Sequence, residues 1–198
     1  MIYETLQILK EQLENYFEEA GLGKNIILDN IALWESGSQD ADRLDGKVVL
    51  TLLNMEEEST MKNTPSVKVV NGKSEYFNPP VNLNLFLLVS ANCTSYELSL
   101  SSISRTIEFF QGKKTFTSAN TVYNRLNPSL HPVDHFKFVV ELFTPGFEIL
   151  NHIWGTLGGR QLPSALYKVQ IIEISRQKKL ASGGLITHID GTLNQITE

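Results

Sequence analysis

The side chains of this 198-residue chain best suited to metal binding or proton transfer are four histidines, His131, His135, His152 and His188. His131 and His135 stand four apart, a spacing that puts two imidazoles on one helix face, but Pro132 between them opposes that helix. No HExxH pattern accompanies them, and a tetrahedral metal site needs further ligands that the spacing does not offer. They read as loop histidines. Glu56, Glu57 and Glu58 are the densest carboxylates; glycoside hydrolysis needs two carboxyl groups opposed across a sugar, which neighbours in one loop do not supply, so they read as a solvated turn. The lone cysteine, Cys93, has no second thiol for a disulfide or a CxxC motif and no activating partner in view. There is no GxSxG elbow, GxxxxGK[ST] loop or GxGxxG turn. Ser182-Gly183-Gly184 and Gly158-Gly159-Arg160 come nearest, and both read as turns, the second at the wrong end of a helix for holding phosphate. The sequence therefore predicts no catalytic residue, no cofactor and no metal.

Composition narrows the remaining classes. With 41% hydrophobic and 20% charged residues, the chain has the material for a packed core. A net charge of −5 opposes nucleic-acid binding, which needs clustered Lys and Arg. No apolar run approaches the roughly 20 residues of a membrane span, and the N-terminus, MIYETLQILKEQ, lacks the basic and apolar regions of a secretory signal. A cytoplasmic protein is expected, with neither nucleic acid nor membrane as a direct partner.

The elements follow from periodicity. Residues 1–20 predict an amphipathic helix, with Leu6, Leu9, Leu13, Tyr16 and Phe17 on one stripe facing a sheet, stopped by Gly21 and Gly23. Strands are expected over 26–34 and 47–55, then a hairpin over 67–77 turning at Asn71-Gly72, a pair suited to a type I′ turn. After Pro79-Pro80, a strand over 81–89 places Val81, Leu83, Leu85, Leu87 and Val89 on one face. A second helix, about 95–111, is capped by Thr94 with Glu97 and buries Tyr96, Leu100, Ile103, Ile107 and Phe110. Residues 113–133 predict a mostly irregular loop. A strand over 136–143 alternates Phe136, Phe138, Val140 and Leu142 on one face; Thr144 and Pro145 then open a third helix burying Phe147, Leu150, Trp154 and Leu157. A last long strand covers 165–176, and Asp190-Gly191 suggests a small terminal hairpin. Hairpins and a surplus of strands over helices make the fold α+β, with a mixed, mostly antiparallel sheet and about three packed helices. One domain is expected over 1–198, with its core over about 1–176 and a short tail over 180–198.

Two stretches carry more than periodicity. NPPVNLNLFLLV, leading to the SYELSLSSISRTIEFFQ helix, and LNHIWGTLGGRQLPSALYKVQII, with a Trp-containing helix, a Gly-Gly stop and Pro-Ser-x-x-Tyr entering a strand, resemble the N-terminal domain of tail-terminator, or tube-cap, proteins of phage-tail-like contractile injection systems. The resemblance runs from the opening helix to about Ser175. It implies a phage tail-terminator fold and a non-enzymatic structural protein. Such a protein caps the distal end of tube and sheath as a ring, a homohexamer in this family, with terminal sheath or inner-tube subunits as partners. Trp154 and Tyr167 are expected to pack inside the domain. For assembly contacts, the hairpin residues Val67, Val69, Tyr76 and Phe77 and the loop residues Phe116, Tyr123 and Arg125 are the candidates, since hairpin edges pair with other chains and aromatics with Arg enrich interfaces. A monomeric adaptor or chaperone for an injected effector is the alternative from another class.

Overall fold

The computed structural model of the chain describes residues 1–35, 39–61, 67–70, 73–124, 127, 130, 135–174 and 181–184. The fold is α+β, built on a six-stranded, mostly antiparallel sheet. Its strands are β1 (Ile26–Leu28), β2 (Lys47–Glu57), β5 (Val81–Asn92), β8 (Ser164–Ile174), β7 (Lys137–Phe143) and β6 (Thr115–Thr117), in that spatial order. Among the described residues only the β1–β2 pair of this sheet is parallel. A second, three-stranded antiparallel sheet joins β3 (Val67–Val70), β4 (Lys73–Tyr76) and β9 (Ala181–Gly184).

Both faces of the large sheet are covered. On one, α1 (Ile2–Glu19) and α3 (Tyr96–Gly112) pack on alternate residues of the central strands. Leu9, Leu13 and Phe17 meet Leu85, Leu87 and Val89 from β5 and Tyr167 and Val169 from β8. On the other face Ile31, Leu44 and Trp154, brought there by a 3-10 turn (Ile31–Glu35), the short α2 (Gln39–Leu44) and α4 (Phe147–Thr156), cluster with the strand residues Val49, Leu88 and Leu166. Trp154 and Tyr167 are thus interior groups, as their size predicts.

Several elements depart from periodicity for identifiable reasons. The strand expected over 26–34 stops at Leu28 because Asx side chains offer the backbone another partner: the Asn30 Oδ1 accepts from the Ala32 N–H at 3.1 Å and the Asp29 Oδ1 from the Asn30 N–H at 2.8 Å. The second helix is capped by Ser95, not Thr94, with the Ser95 Oγ accepting from the Leu98 N–H at 3.2 Å. Its third position is therefore Leu98, and no capping box with Glu97 forms. The third helix starts at Phe147 with Gly146 as its cap, beyond Thr144 and Pro145, which leaves Phe147 91% exposed instead of buried. Ser182-Gly183-Gly184 is strand, not turn: β9 pairs with β4 through Glu75↔Ser182 and Ser74↔Gly183. The Asn71-Gly72 turn, Pro132 and the expected terminal hairpin lie outside the described residues.

The segment after α3 is also more ordered than a polar loop. Within it β6 pairs with β7, Phe116 opposite Phe138. Asn120 knots the turn that follows, accepting from the Thr117 N–H at 2.8 Å and donating to the Thr115 carbonyl at 3.0 Å. The Gln12 amide donates to the Val122 carbonyl at 2.6 Å and the Glu11 carboxylate accepts from the Asn124 N–H at 2.9 Å, tying residues 122–124 to α1.

Candidate assembly surfaces

The apolar stripe of α3 does not face the core as a whole. Its buried side is Ser99, Ser102, Ile103, Thr106 and Phe110, while Tyr96, Leu100 and Ile107 are exposed, Tyr96 by 68%. Small hydroxyl side chains can be buried here because the helix itself satisfies them: Ser99 Oγ donates to the Ser95 carbonyl at 3.1 Å and Thr106 Oγ1 to the Ser102 carbonyl at 2.9 Å. Ser99 Oγ also accepts from the Cys93 N–H at 3.3 Å, and Cys93 Sγ lies 3.7 Å from Ser102 Oγ. Cys93 is a half-buried packing group in this turn.

The stripe turned outward forms one wall of a groove of about 710 Å³. Leu142 and Phe143 at the end of β7, Pro145, Leu150 of α4, and Leu162 and Pro163 before β8 complete it, and none of its lining residues is charged. Leu142, expected to alternate into the core with Phe136, Phe138 and Val140, is half exposed at this rim. Phe147 and Ile149 of α4 add further exposed apolar surface.

A second apolar surface lies on the small sheet. Val67 pairs with Tyr76 and Val69 with Ser74 across the β3–β4 register, and opposed residues of an antiparallel pair share a face. Val67, Val69 and Tyr76 therefore stand on one side of the hairpin, all exposed, Val69 by 62%. Phe77, just beyond β4, is half buried.

The other candidate contacts separate on inspection. Phe116 is fully buried, stacked on Phe138 at 5.2 Å between ring centroids, so it is a core residue and offers no assembly contact. Lys113 covers that ring, its Nζ 4.9 Å from the centroid, and burial lowers the ammonium's pKa. Tyr123 is partly buried, edge-on to Phe136 at 5.7 Å. Arg125 lies outside the described residues. The groove on α3 was not foreseen; the exposed stripe carried a strong apolar period, and periodicity does not say which side of a helix is covered.

In the acidic stretch, Glu56 and Glu57 end β2 exposed, while Glu58 is held by hydrogen bonds to Thr60 and to Asn84 of β5. Glu58 Oε2 accepts from the Asn84 amide at 2.7 Å, and Oε1 from the Thr60 hydroxyl at 2.7 Å and the Thr60 N–H at 3.2 Å. Hydrogen bonds from Thr60 and Asn84 lower its pKa to about 2. Tyr167, deep under α3, has its phenol pushed above its ordinary pKa by burial, with no hydrogen-bond partner for the hydroxyl among the described residues. Among the described residues no group of three or more His, Cys, Asp and Glu side chains is placed to hold a metal ion, and no helix is long and apolar enough to cross a membrane.

This architecture is that of tube terminators from contractile injection systems. It is similar to the PVC sheath/tube terminator of an extracellular contractile injection system, solved in its extended state, with a TM-score of 0.61 and 16% identity over the whole of this chain and 64% of that one. It is also similar to the tube-terminating cap of the anti-feeding prophage, with a TM-score of 0.51 and 16% identity over 74% of this chain and 49% of that one. The Pvc16 N-terminal domain family model matches residues 4–188, and the chain belongs to that family. The chain thus spans somewhat under two thirds of the length of the terminator it matches over its whole extent. A comparison with curated proteins found no match.

Proposed function

We propose that this protein is a structural cap: a single domain that assembles with copies of itself into a ring on the distal end of a contractile tail, binds the last sheath or inner-tube layer, and terminates particle length. The observation that carries this reading is the whole-chain likeness to a sheath/tube terminator, in a member of the Pvc16 N-terminal domain family. The surface supports it. A ring subunit needs two different faces that bind copies of itself and a third that matches the tail, and it needs no cofactor. The exposed apolar groove and hairpin are surfaces of the kind that association covers. On this reading Val67, Val69 and Tyr76 are contact residues, and the protein is made in the cytoplasm and incorporated into a tail-like particle.

Negative-stain electron microscopy of particles from the native host, with and without the gene, tests the proposal. Its loss should leave particles absent, over-long or ragged at one end. Unchanged number and length would defeat the capping role and turn attention to an effector adaptor.

A further inference from the structure

We infer that the α3–α4 groove is the receptor for the β3–β4 hairpin of a neighbouring copy, so that the protein self-associates head to tail; this rests on the ring reading above. The two surfaces lie at opposite ends of the same strands. The hairpin leads into Val81, paired with Ile174 at one end of β8, whereas the groove is lined by Ser164, Ala165 and Leu166 at the other. The eleven residues of β8 hold those ends apart, about 33 Å at ~3.3 Å per residue. A groove at one end and an apolar projection at the other make a heterologous pair, which closes into a ring when the rotation between subunits allows.

Placement at opposite ends and the absence of charge select a second copy as the occupant. The exposed fractions of the apolar side chains that line the groove, Tyr96, Leu100, Ile107, Leu142 and Phe143, amount to about two and a half whole side chains, roughly 500 Å² at about 200 Å² each. That is a patch of about the size, 300 to 600 Å², that is often functional on a monomer, and Val67, Val69 and Tyr76 expose a smaller apolar area, about one and a half side chains, to set against it. The groove lining carries no charge, and neither do Val67, Val69 and Tyr76. A chain of net charge −5 brings its copies together most readily through uncharged faces. The hairpin supplies the anchors of this contact and the flanking surface the rest of its area.

Complementation tests the pairing. Two variants of the full chain are made, one with the hairpin disrupted (V69K/Y76K) and one with the groove disrupted (L100E/L142E); all four residues are exposed, so native circular dichroism should persist. By native mass spectrometry the wild type should form a closed oligomer and each variant alone a monomer. An equimolar mixture should give a species of twice the monomer mass and nothing larger, because one good hairpin then meets one good groove. A mixture that stays monomeric, or a groove variant that still closes the full oligomer, would overturn the pairing while leaving the ring intact. A wild type that stays monomeric at high concentration would count against the ring and the pairing together.

Discussion

Two glycines around the end of α4 show how one residue type serves opposite ends. Gly155 lies inside the helix, exposed, with open space where a Cβ would stand. Gly159 follows the helix at φ +88°, where its N–H donates to the Trp154 carbonyl at 2.7 Å. Alanine should therefore act with opposite signs. Gly155→Ala removes unfolded-chain freedom at a helical position and should stabilise by about 0.5–1 kcal/mol. Gly159→Ala meets no atom but forces an L-residue into the left-handed region, and should destabilise by about 1–2 kcal/mol. Urea unfolding of the two variants measures both; equal shifts would mean that the helix does not end here. Glu58 makes a second residue-scale claim. Its folded pKa, about 2, lies below the ordinary glutamate value of about 4.5, so the stabilisation from its hydrogen bonds is complete above about pH 4.5 and disappears as pH falls through 2. Carboxyl NMR titration should find its midpoint near 2, and Glu58→Gln should lessen the dependence of stability on pH in that window. A midpoint at the ordinary glutamate value would mean that the Asn84 and Thr60 bonds do not hold in solution.

At the scale of elements, α3 separates what packs from what is apolar. Thr106 and Ser102 are buried against the sheet while Ile107 and Leu100 are exposed. Ser102→Leu should overpack the helix–strand contact and cost about 1–3 kcal/mol, whereas Ile107→Ser should leave the melting temperature of the subunit nearly unchanged and weaken its self-association. Differential scanning calorimetry with sedimentation velocity distinguishes the two, and a large loss of subunit stability in Ile107→Ser would place that face in the core. This helix also shows how far the sequence could be read. Its existence and length were legible because apolar residues recur at helical spacing, and α1 was legible with its buried face for the same reason. The buried face of α3 was not, since hydroxyls satisfied by their own helix leave no apolar signal. Phe116 stands alone in a polar stretch, where one aromatic cannot mark a three-residue strand. The β9 pairing is made by backbone, and Ser-Gly-Gly advertises a turn more strongly than an edge strand. Of the exposed apolar surfaces, the hairpin was visible through VKVV and KSEYF around Asn-Gly. The groove joins residues from positions 96 to 166 and exists only in the fold.

For the whole molecule, the decisive property is that a heterologous ring closes only if every subunit offers both surfaces. On the proposed head-to-tail contact, a groove-disrupted subunit, L100E/L142E, keeps its hairpin and can still dock into the groove of a wild-type neighbour. It then presents a defective groove to the next copy, so the arc stops there. Closed rings should therefore decline as a high power of the wild-type fraction when this variant is mixed in before assembly, much faster than simple dilution. In particles assembled with both forms present, over-long or ragged tails should increase along the same curve. A contact that used one patch against itself predicts another course: variants lacking that patch would stay out of the assembly, and rings would decline only with the supply of wild-type subunits. Native mass spectrometry across a mixing series, read beside particle lengths from the same mixtures, separates the two laws. A linear decline would remove the head-to-tail contact, whereas a steep one shared by both readouts would tie subunit closure to the termination of the tail.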